Sequence, residues 1–231
     1  MKSVLSNKAK FLKRLVVSLL MLTTIATLVY HLSVNAKDQI TATVLPQPKP
    51  VASFTLEDKQ GQTFSEQNLR GHWTLLFFGF TRCPAICPPS MTALKQAYAI
   101  IESKHQTLPQ VVFISVDPDR DTPSQIKSYV TSFNKHFLGF TGSKEQLDKL
   151  TSSLGILYMK VDPKGTPNSN DGNLSTANSS NSTATGKDYT IDHSGTILLV
   201  DPKGKLTAIF TMPHVAKMMA SDYIQIVDHT G

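Results

Sequence analysis

The sequence predicts an α/β domain in which a mixed central sheet is flanked by helices. Nearly all-apolar runs over residues 73–80 and 111–116 are typical of strands that are buried on both faces. Helical patterns follow these runs, which predicts strand–helix–strand units. Near the C-terminus, two strand signals flank the turn residues 201–204, which predicts a hairpin that adds antiparallel strands to the sheet.

A leader of 36 residues precedes the domain and contains no acidic residue. Its five cations are followed by an apolar stretch over residues 15–30, which is the arrangement of a signal peptide or a membrane anchor. Cleavage after Ala36 is one alternative. We favour a retained anchor over residues 1–36, because the apolar run exceeds the roughly 7–15 residues of a signal core. Positive-inside orientation then predicts a domain that faces the periplasm or another extracytoplasmic space.

The net charge of +6 resides almost entirely in this leader. Without its five cations, 18 of the 23 Lys and Arg residues remain against 17 Asp and Glu residues. The exported part is therefore nearly neutral, and we expect no nucleic-acid partner. In an oxidising compartment a thiol pair is informative, because its two thiols stay reduced there only if a reductant maintains them.

Residues 37–50 are predicted to be a Pro-rich tether, because Pro46, Pro48 and Pro50 favour extended chain and prevent a helix. The domain then spans residues 51–231, enough for one hydrophobic core. Residues 165–186 interrupt it with a low-complexity stretch rich in Asn, Ser and Thr, which we interpret as a mobile surface insertion.

The remaining elements are predicted from turn, capping and periodicity signals. Prolines 88 and 89 suit the first turn of a helix over residues 88–103, where a missing N–H costs little. The segment Ser143–Gln146 fits a capping box. In chain order, we predict a hairpin with its turn at 58–61, a strand over 73–80, a helix over 88–103, a strand over 111–116, helices over 122–134 and 143–154, strands over 156–161, 196–200 and 206–210, and a helix over 213–227. This order indicates a thioredoxin-like fold.

The only two cysteines, Cys83 and Cys87, lie at the predicted turn between a strand and a helix. Residues four apart share one face of a helix, and a helix N-terminus favours thiolates. The pair could form a disulfide, exchange disulfides or bind a soft metal ion. Three intervening residues, rather than the two of thiol-disulfide oxidoreductases, favour metal binding. With no further cysteine for a zinc site, two thiolates and one imidazole suit copper, Cu(I) especially.

The histidine of such a site is predicted to be His193, one of seven in the chain. It lies in the segment 189–195, between the low-complexity insertion and a core strand. We therefore expect a loop-borne imidazole that swings over the cysteine turn, and a loop that gains order when metal binds.

Two further groups of residues have simpler interpretations. Asp117 and Asp121 follow a buried strand, and Asp117 directly precedes Pro118, which predicts a turn or helix-cap role. The alternative is that these aspartates support the metal ligands without binding the ion, or dock a partner. Met212, Met218 and Met219 are soft potential ligands. Two of the methionines lie at helical spacing in an amphipathic segment, so we expect core packing.

Three segments together resemble the signature motifs of the Sco/SenC/PrrC family: Gly79–Pro88, Ser115–Pro123 and Asp192–Ser194. They occur in the order found in the family, and the resemblance covers about residues 51–227. The chain departs from the family pattern at Arg82 and Ala85, where members often carry His and Asp. The long Asn/Ser/Thr insertion is also unusual.

This resemblance implies a thioredoxin-like fold, one N-terminal membrane anchor, and a site for one copper ion per chain, Cu(I) and/or Cu(II). Carried over by motif, its ligands would be Cys83, Cys87 and His193. The resemblance also implies a copper chaperone rather than an enzyme. Such a chaperone would deliver copper to the binuclear site of cytochrome c oxidase subunit II and meet other copper chaperones or thiol reductants.

Two enzymatic alternatives stay open. A thiol-disulfide reductase or redox sensor would use Cys83 and Cys87 to keep the cysteines of an acceptor reduced. A thiol peroxidase is more distant, since the run Phe77–Thr81 before a cysteine also occurs in that fold group. His193 discriminates between these functions, because copper binding needs it and disulfide exchange does not.

Overall fold

The computed structural model describes residues 13–28, 40–58, 60–161 and 189–230 of the 231-residue chain. The chain divides into two compact units, residues 1–39 and 40–231. In the first unit, residues 13–28 form a helix, α1. No helix within the described ranges combines the length and the hydropathy that a bilayer span requires. The predicted cleavage site and the insertion over residues 165–186 lie outside the described residues.

The second unit contains the strands and the remaining helices. Its strands in chain order are β1 (Thr43–Pro50), β2 (Thr55–Glu57), β3 (Thr63–Ser65), β4 (Thr74–Gly79), β5 (Gln110–Ser115), β6 (Leu138–Phe140), β7 (Tyr158–Val161), β8 (Thr190–His193), β9 (Ile197–Val200) and β10 (Lys205–Phe210). Its α-helices are α2 (Cys87–Ser103), α3 (Pro123–Phe133), α4 (Lys144–Leu154) and α5 (Ala216–Thr230). A short 3-10 helix covers Glu66–Leu69.

The central sheet has six strands in the order β1-β10-β9-β4-β5-β6. β4 pairs with β5 in parallel and with β9 in antiparallel orientation, which makes the sheet mixed, as predicted. Every residue of β4 and β9 is buried, so these strands form the centre of the core. Two hairpins, β2–β3 and β7–β8, are separate two-stranded sheets.

Local sequence signals account for the helix boundaries. The Thr122 side chain accepts a hydrogen bond from the Gln125 backbone and caps α3, while Pro123 occupies the first turn. Ser143 caps α4 in the same way, and Gly155 ends that helix with a left-handed φ of 71°. The predicted helices and buried strands therefore lie within a few residues of the observed ones.

The predicted tether is wrong over residues 43–50. These residues form β1, the edge strand that pairs antiparallel with β10 through a register irregularity between Val44 and Lys49. Proline lacks an N–H donor, but an edge strand needs only one row of donors and acceptors. The three prolines therefore indicate an edge strand here rather than a linker.

The segments that carry the predicted site meet at one end of the central strands. Gly79 and Ser115 are register partners at the ends of the parallel strands β4 and β5, so the segments after them begin side by side. β9 runs the other way, and its first residue, Ile197, pairs with Phe77. The chain before β9, which contains His193, therefore lies at the same end of the central strands.

Candidate metal centre

Cys83 and Cys87 lie where β4 passes into α2. The Cys83 N–H donates to the Phe80 carbonyl at 3.2 Å, which closes the turn after the strand. Cys87 is the first residue of α2, whose N-cap residue, Ile86, makes no side-chain capping bond. The Cys83 sulfur accepts a hydrogen bond from the Cys87 N–H at 3.4 Å instead. One thiol thus caps the helix that presents the other, and free helix N–H groups favour its anionic form.

Gly79 makes room for the Cys87 sulfur. A Cβ atom at this position would lie 2.6 Å from Cys87 Sγ, closer than real Cβ contacts, and 3.0 Å from the Phe113 ring, which is tighter than most such contacts. The last residue of β4 must therefore lack a side chain if the sulfur is to occupy its present place.

Asp121 ties the cysteine turn to the end of β5. Its carboxylate accepts hydrogen bonds from the Thr81 N–H at 2.7 Å, the Thr81 hydroxyl at 2.5 Å and the Ser115 hydroxyl at 2.6 Å. The side chain is 1% exposed, so these bonds replace the water that an aspartate would otherwise bind. Asp121 therefore holds the cysteine turn against β5, and the predicted turn after β5 is also present, since the Asp121 N–H donates to the Asp117 carbonyl at 2.9 Å.

His193 ends β8 and is 7% exposed. It pairs with Tyr158 in the β7–β8 hairpin, and its ring meets Phe80 edge-on at a centroid distance of 6.0 Å. The expectation of a loop-borne histidine is wrong, because hairpin pairing and aromatic packing hold the residue in place. The effect of metal binding on the order of this segment stays a prediction.

A cluster around Arg120 fixes the start of β8. Its Nη1 donates to the Tyr189 carbonyl at 2.6 Å, and its guanidinium lies 3.5 Å from the centroid of the Tyr189 ring. Nε pairs with the fully buried Asp117 carboxylate at 2.6 Å, and the Tyr189 hydroxyl donates to the same carboxylate. Through Tyr189, four residues before His193, this cluster positions the strand that carries the imidazole.

The three predicted ligands come together in the structure. One ligand atom each from Cys83, Cys87 and His193 lie within 4.8 Å of one another, and all three residues are buried. His193 Nε2 lies 3.9 Å from Cys83 Sγ and 3.6 Å from Cys87 Sγ. Its Nδ1 accepts from the Gly195 N–H at 3.3 Å, so the neutral ring carries its proton on Nε2, facing the sulfurs.

The two thiols are electrostatically different. The hydrogen bond from Cys87, followed by that from His193, lowers the pKa of Cys83 to about 3 against the opposing effect of burial. The same hydrogen bond, burial and the nearby Cys83 charge raise the pKa of Cys87. Both cysteines are free. These opposite shifts favour, at neutral pH, one negative charge on Cys83 and one proton on Cys87.

Known proteins resemble this chain over most of its length. The family model described as SCO1/SenC matches residues 43–228. The chain belongs to the SCO1/SenC family. A relative named putative copper-binding protein, from Stutzerimonas stutzeri, is 33% identical over 176 residues, which are 76% of each chain.

Solved structures of the SCO1/SenC type share the fold. Copper-bound ScoI of Arabidopsis thaliana is 30% identical and has a TM-score of 0.64, covering 77% of this chain and 98% of the other. Apo Sco1 of Thermus thermophilus is 32% identical and has a TM-score of 0.66, covering 84% and 99%. The predicted thioredoxin-like fold is confirmed.

Within this SCO1/SenC chain, sequence reasoning missed several supporting residues: Gly79, Thr81, Arg120, Tyr189 and Gly195. The only available signal was their position within or beside the three motif segments. Arg82 and Ala85, the departures from the family pattern, are both exposed. They therefore lie on the surface beside the site and not among the buried ligands.

Proposed function

We propose that this protein binds one copper ion through Cys83, Cys87 and His193 and passes it to a copper acceptor. The single observation that carries the proposal is the convergence of two sulfurs and one imidazole nitrogen within 4.8 Å, all from buried residues. Two thiolates and one imidazole form a soft, low-coordinate ligand set, which suits Cu(I). No other group of three or more Cys, His, Asp or Glu residues in the described part of the chain could hold a metal ion.

The ligand set differs from that of a structural zinc site. Such a site closes around four ligands, commonly with a second pair of cysteines. This chain has two cysteines in total. A three-ligand site leaves a position that an incoming ligand of an acceptor can occupy, so the ion can transfer by ligand exchange.

Protons must leave the site when the ion arrives. Cys83 is already a thiolate, whereas Cys87 carries a proton that copper displaces. A copper ion at His193 Nε2 also displaces the proton on that atom, and the neutral ring then carries its proton on Nδ1. A protonated Nδ1 cannot accept a hydrogen bond from the Gly195 N–H. Copper binding therefore changes the contact between His193 and Gly195.

The location and acceptor are inferred from the sequence and the family. The cationic, apolar leader supports a membrane-anchored protein whose domain lies outside the cytoplasm, in the periplasm or an equivalent space. The family resemblance supports cytochrome c oxidase subunit II as the acceptor, with other copper chaperones or thiol reductants as further partners.

A thiol-disulfide reductase is the second candidate, and the charge on Cys83 specifically favours it. A thiol with a pKa of about 3 is ionised at neutral pH and can attack a disulfide, and the Cys87 thiol four residues away can resolve the mixed disulfide. Both functions use the same sulfurs, but only copper binding uses His193 as a ligand.

Anaerobic Cu(I) titration of the reduced full chain, in competition with a chromophoric chelator, tests the proposal. Cys83→Ser and Cys87→Ser should each abolish tight binding, and His193→Ala should weaken it by about tenfold or more. His72→Ala, at an exposed histidine before β4, is the matched control and should leave affinity unchanged. Unchanged tight stoichiometry in both cysteine variants would refute the copper site. The reductase would be favoured if the parent chain binds no copper and the His193→Ala variant still reduces disulfides.

A further inference from the structure

A second group of soft ligands surrounds a cavity of about 220 Å³ next to the start of α5. Three methionines and one histidine contribute to its lining: Met212, His214, Met218 and Met219. Thr41, Ala42, Phe210 and Val215 also contribute, and no carboxylate does. Thioether sulfur and imidazole nitrogen are neutral ligands, and thioethers select soft monovalent ions.

His214 has a nitrogen lone pair free for a ligand. Its Nε2 lies 2.8 Å from the Gly195 carbonyl oxygen, which can only accept, so Nε2 carries the proton of the neutral ring. The lone pair on Nδ1 then accepts no hydrogen bond, because this atom is buried and has no hydrogen-bond partner among the described residues. Burial also lowers the pKa of His214, which keeps the ring neutral. A histidine whose second nitrogen is anchored on a carbonyl is the usual form of a metal ligand.

The methionines are not explained by core packing alone. Met219 is 4% exposed and packs in the core, as the sequence predicts. Met212 and Met218 are 47% and 43% exposed, so the core-packing prediction is wrong for both. Their long, unbranched side chains can turn toward the cavity at little cost, because methionine adapts readily to its surroundings.

We propose that Met212, His214 and Met218 form a second site for a soft monovalent ion, Cu(I) or its analogue Ag(I). All three ligands are neutral, so binding displaces no proton and does not depend on reduced cysteines. A site without thiolates holds Cu(I) less tightly than the pair Cys83 and Cys87. It should also discriminate against Cu(II), which prefers nitrogen and oxygen ligands.

Gly195 joins this second site to the first. Its N–H donates to His193 Nδ1, and its carbonyl accepts from His214 Nε2. A Cβ atom on Gly195 would lie 2.9 Å from Met212 Sδ and 3.0 Å from Ile86, the residue before Cys87. The second site therefore suits the acquisition of an ion that then moves to the thiolates by ligand exchange, without redox change. This role rests on the proposed function, whereas binding at the second site does not.

Titration of the full chain with Ag(I), in a Cys83→Ser/Cys87→Ser background, tests the second site. We expect one equivalent to bind. The ¹³C-methyl resonances of Met212 and Met218 and the ¹⁵N resonance of His214 Nδ1 should shift. The methyl resonance of Met159, on the β7–β8 hairpin, serves as the internal control and should not move.

Variants assign the ligands. Met212→Leu/Met218→Leu should abolish this binding, while Met159→Leu should leave it unchanged. His214→Gln keeps an N–H donor for the Gly195 carbonyl but removes the nitrogen ligand, and should weaken binding by about tenfold or more. The proposal is overturned if the cysteine-free chain binds no Ag(I), or if binding persists in the double Leu variant. Neither outcome affects the proposed function, which fails only if loss of the cysteines leaves the tight copper stoichiometry of the parent chain unchanged.

Discussion

The cysteine turn and the β7–β8 hairpin supply the same site by different means. Cys83 and Cys87 lie on one continuous segment, where a strand end, a helix start and a sulfur cap fix their relative positions locally. His193 arrives from 106 residues beyond Cys87, on a two-stranded sheet separate from the central one. Its position depends on the contacts of Arg120 and Tyr189.

This difference separates two properties of the site. The thiol pair and its charge distribution are set mostly within the turn, so thiol chemistry should survive damage to the hairpin. The imidazole depends on a buried ion pair, Asp117 with Arg120, that forms only in the folded domain. Copper affinity should therefore be more sensitive than thiol reactivity to changes far from the sulfurs.

Arg120→Met should produce the largest effect on this comparison. It leaves the buried Asp117 carboxylate without its cation, which should lower the free energy of unfolding by about 3–5 kcal/mol. It also releases the Tyr189 carbonyl, so Cu(I) affinity should fall by about 10- to 100-fold. Denaturant unfolding and chelator competition measure the two effects, while alkylation of Cys83 in the folded protein should continue.

Two further variants control this experiment. Asp117→Asn combined with Arg120→Met removes both charges and should recover part of the stability. Lys160→Gln removes a cation that lies 5.0 Å from the Tyr189 ring and pairs with the exposed Asp119. It should cost less than about 1 kcal/mol, because surface ion pairs contribute little. An equal effect of Lys160→Gln and Arg120→Met would contradict the proposed role of the cluster.

Gly79→Ala should perturb the other side of the comparison. The added methyl group meets Cys87 Sγ and the Phe113 ring, and such overpacking typically costs about 1–3 kcal/mol. The displaced sulfur should weaken Cu(I) binding, while the β7–β8 hairpin keeps its hydrogen-exchange protection. Gly61→Ala is the control without a steric clash: φ is +71° there, so the variant costs stability, but the added methyl group lies in open space and should leave Cu(I) affinity unchanged. Unchanged affinity in Gly79→Ala would show that the sulfur tolerates displacement.

The smallest effect concerns the charge within the turn. With a pKa of about 3, Cys83 is a thiolate throughout pH 5–8, so its alkylation rate by iodoacetamide should be nearly constant over that range. Cys87→Ala removes the largest stabilising hydrogen bond, so the pKa of Cys83 should rise toward the ordinary value of about 8.5 and the rate should increase with pH. Mass spectrometry of quenched samples measures both rates. A rate in the parent chain that rises about tenfold per pH unit would disprove the thiolate assignment.

Much of the fold could be predicted from the sequence because its signals are local. The apolar run before Cys83, the prolines after Cys87, and the caps at Thr122 and Ser143 each indicate an element by themselves. The edge strand β1 was missed because proline weakens strand and helix signals alike. Only its pairing with β10 distinguishes a strand from a tether.

The sequence by itself determined the soft character of the site: two cysteines at helical spacing, and a motif-borne histidine far along the chain. Only the tertiary structure decided how those residues are held. Burial of Asp121 and of the Asp117–Arg120 pair, the space at Gly79, and the strand position of His193 all depend on contacts between distant segments. Such contacts leave no periodic pattern in a single sequence, because each joins residues whose spacing is set by topology rather than by the repeat of a helix or strand.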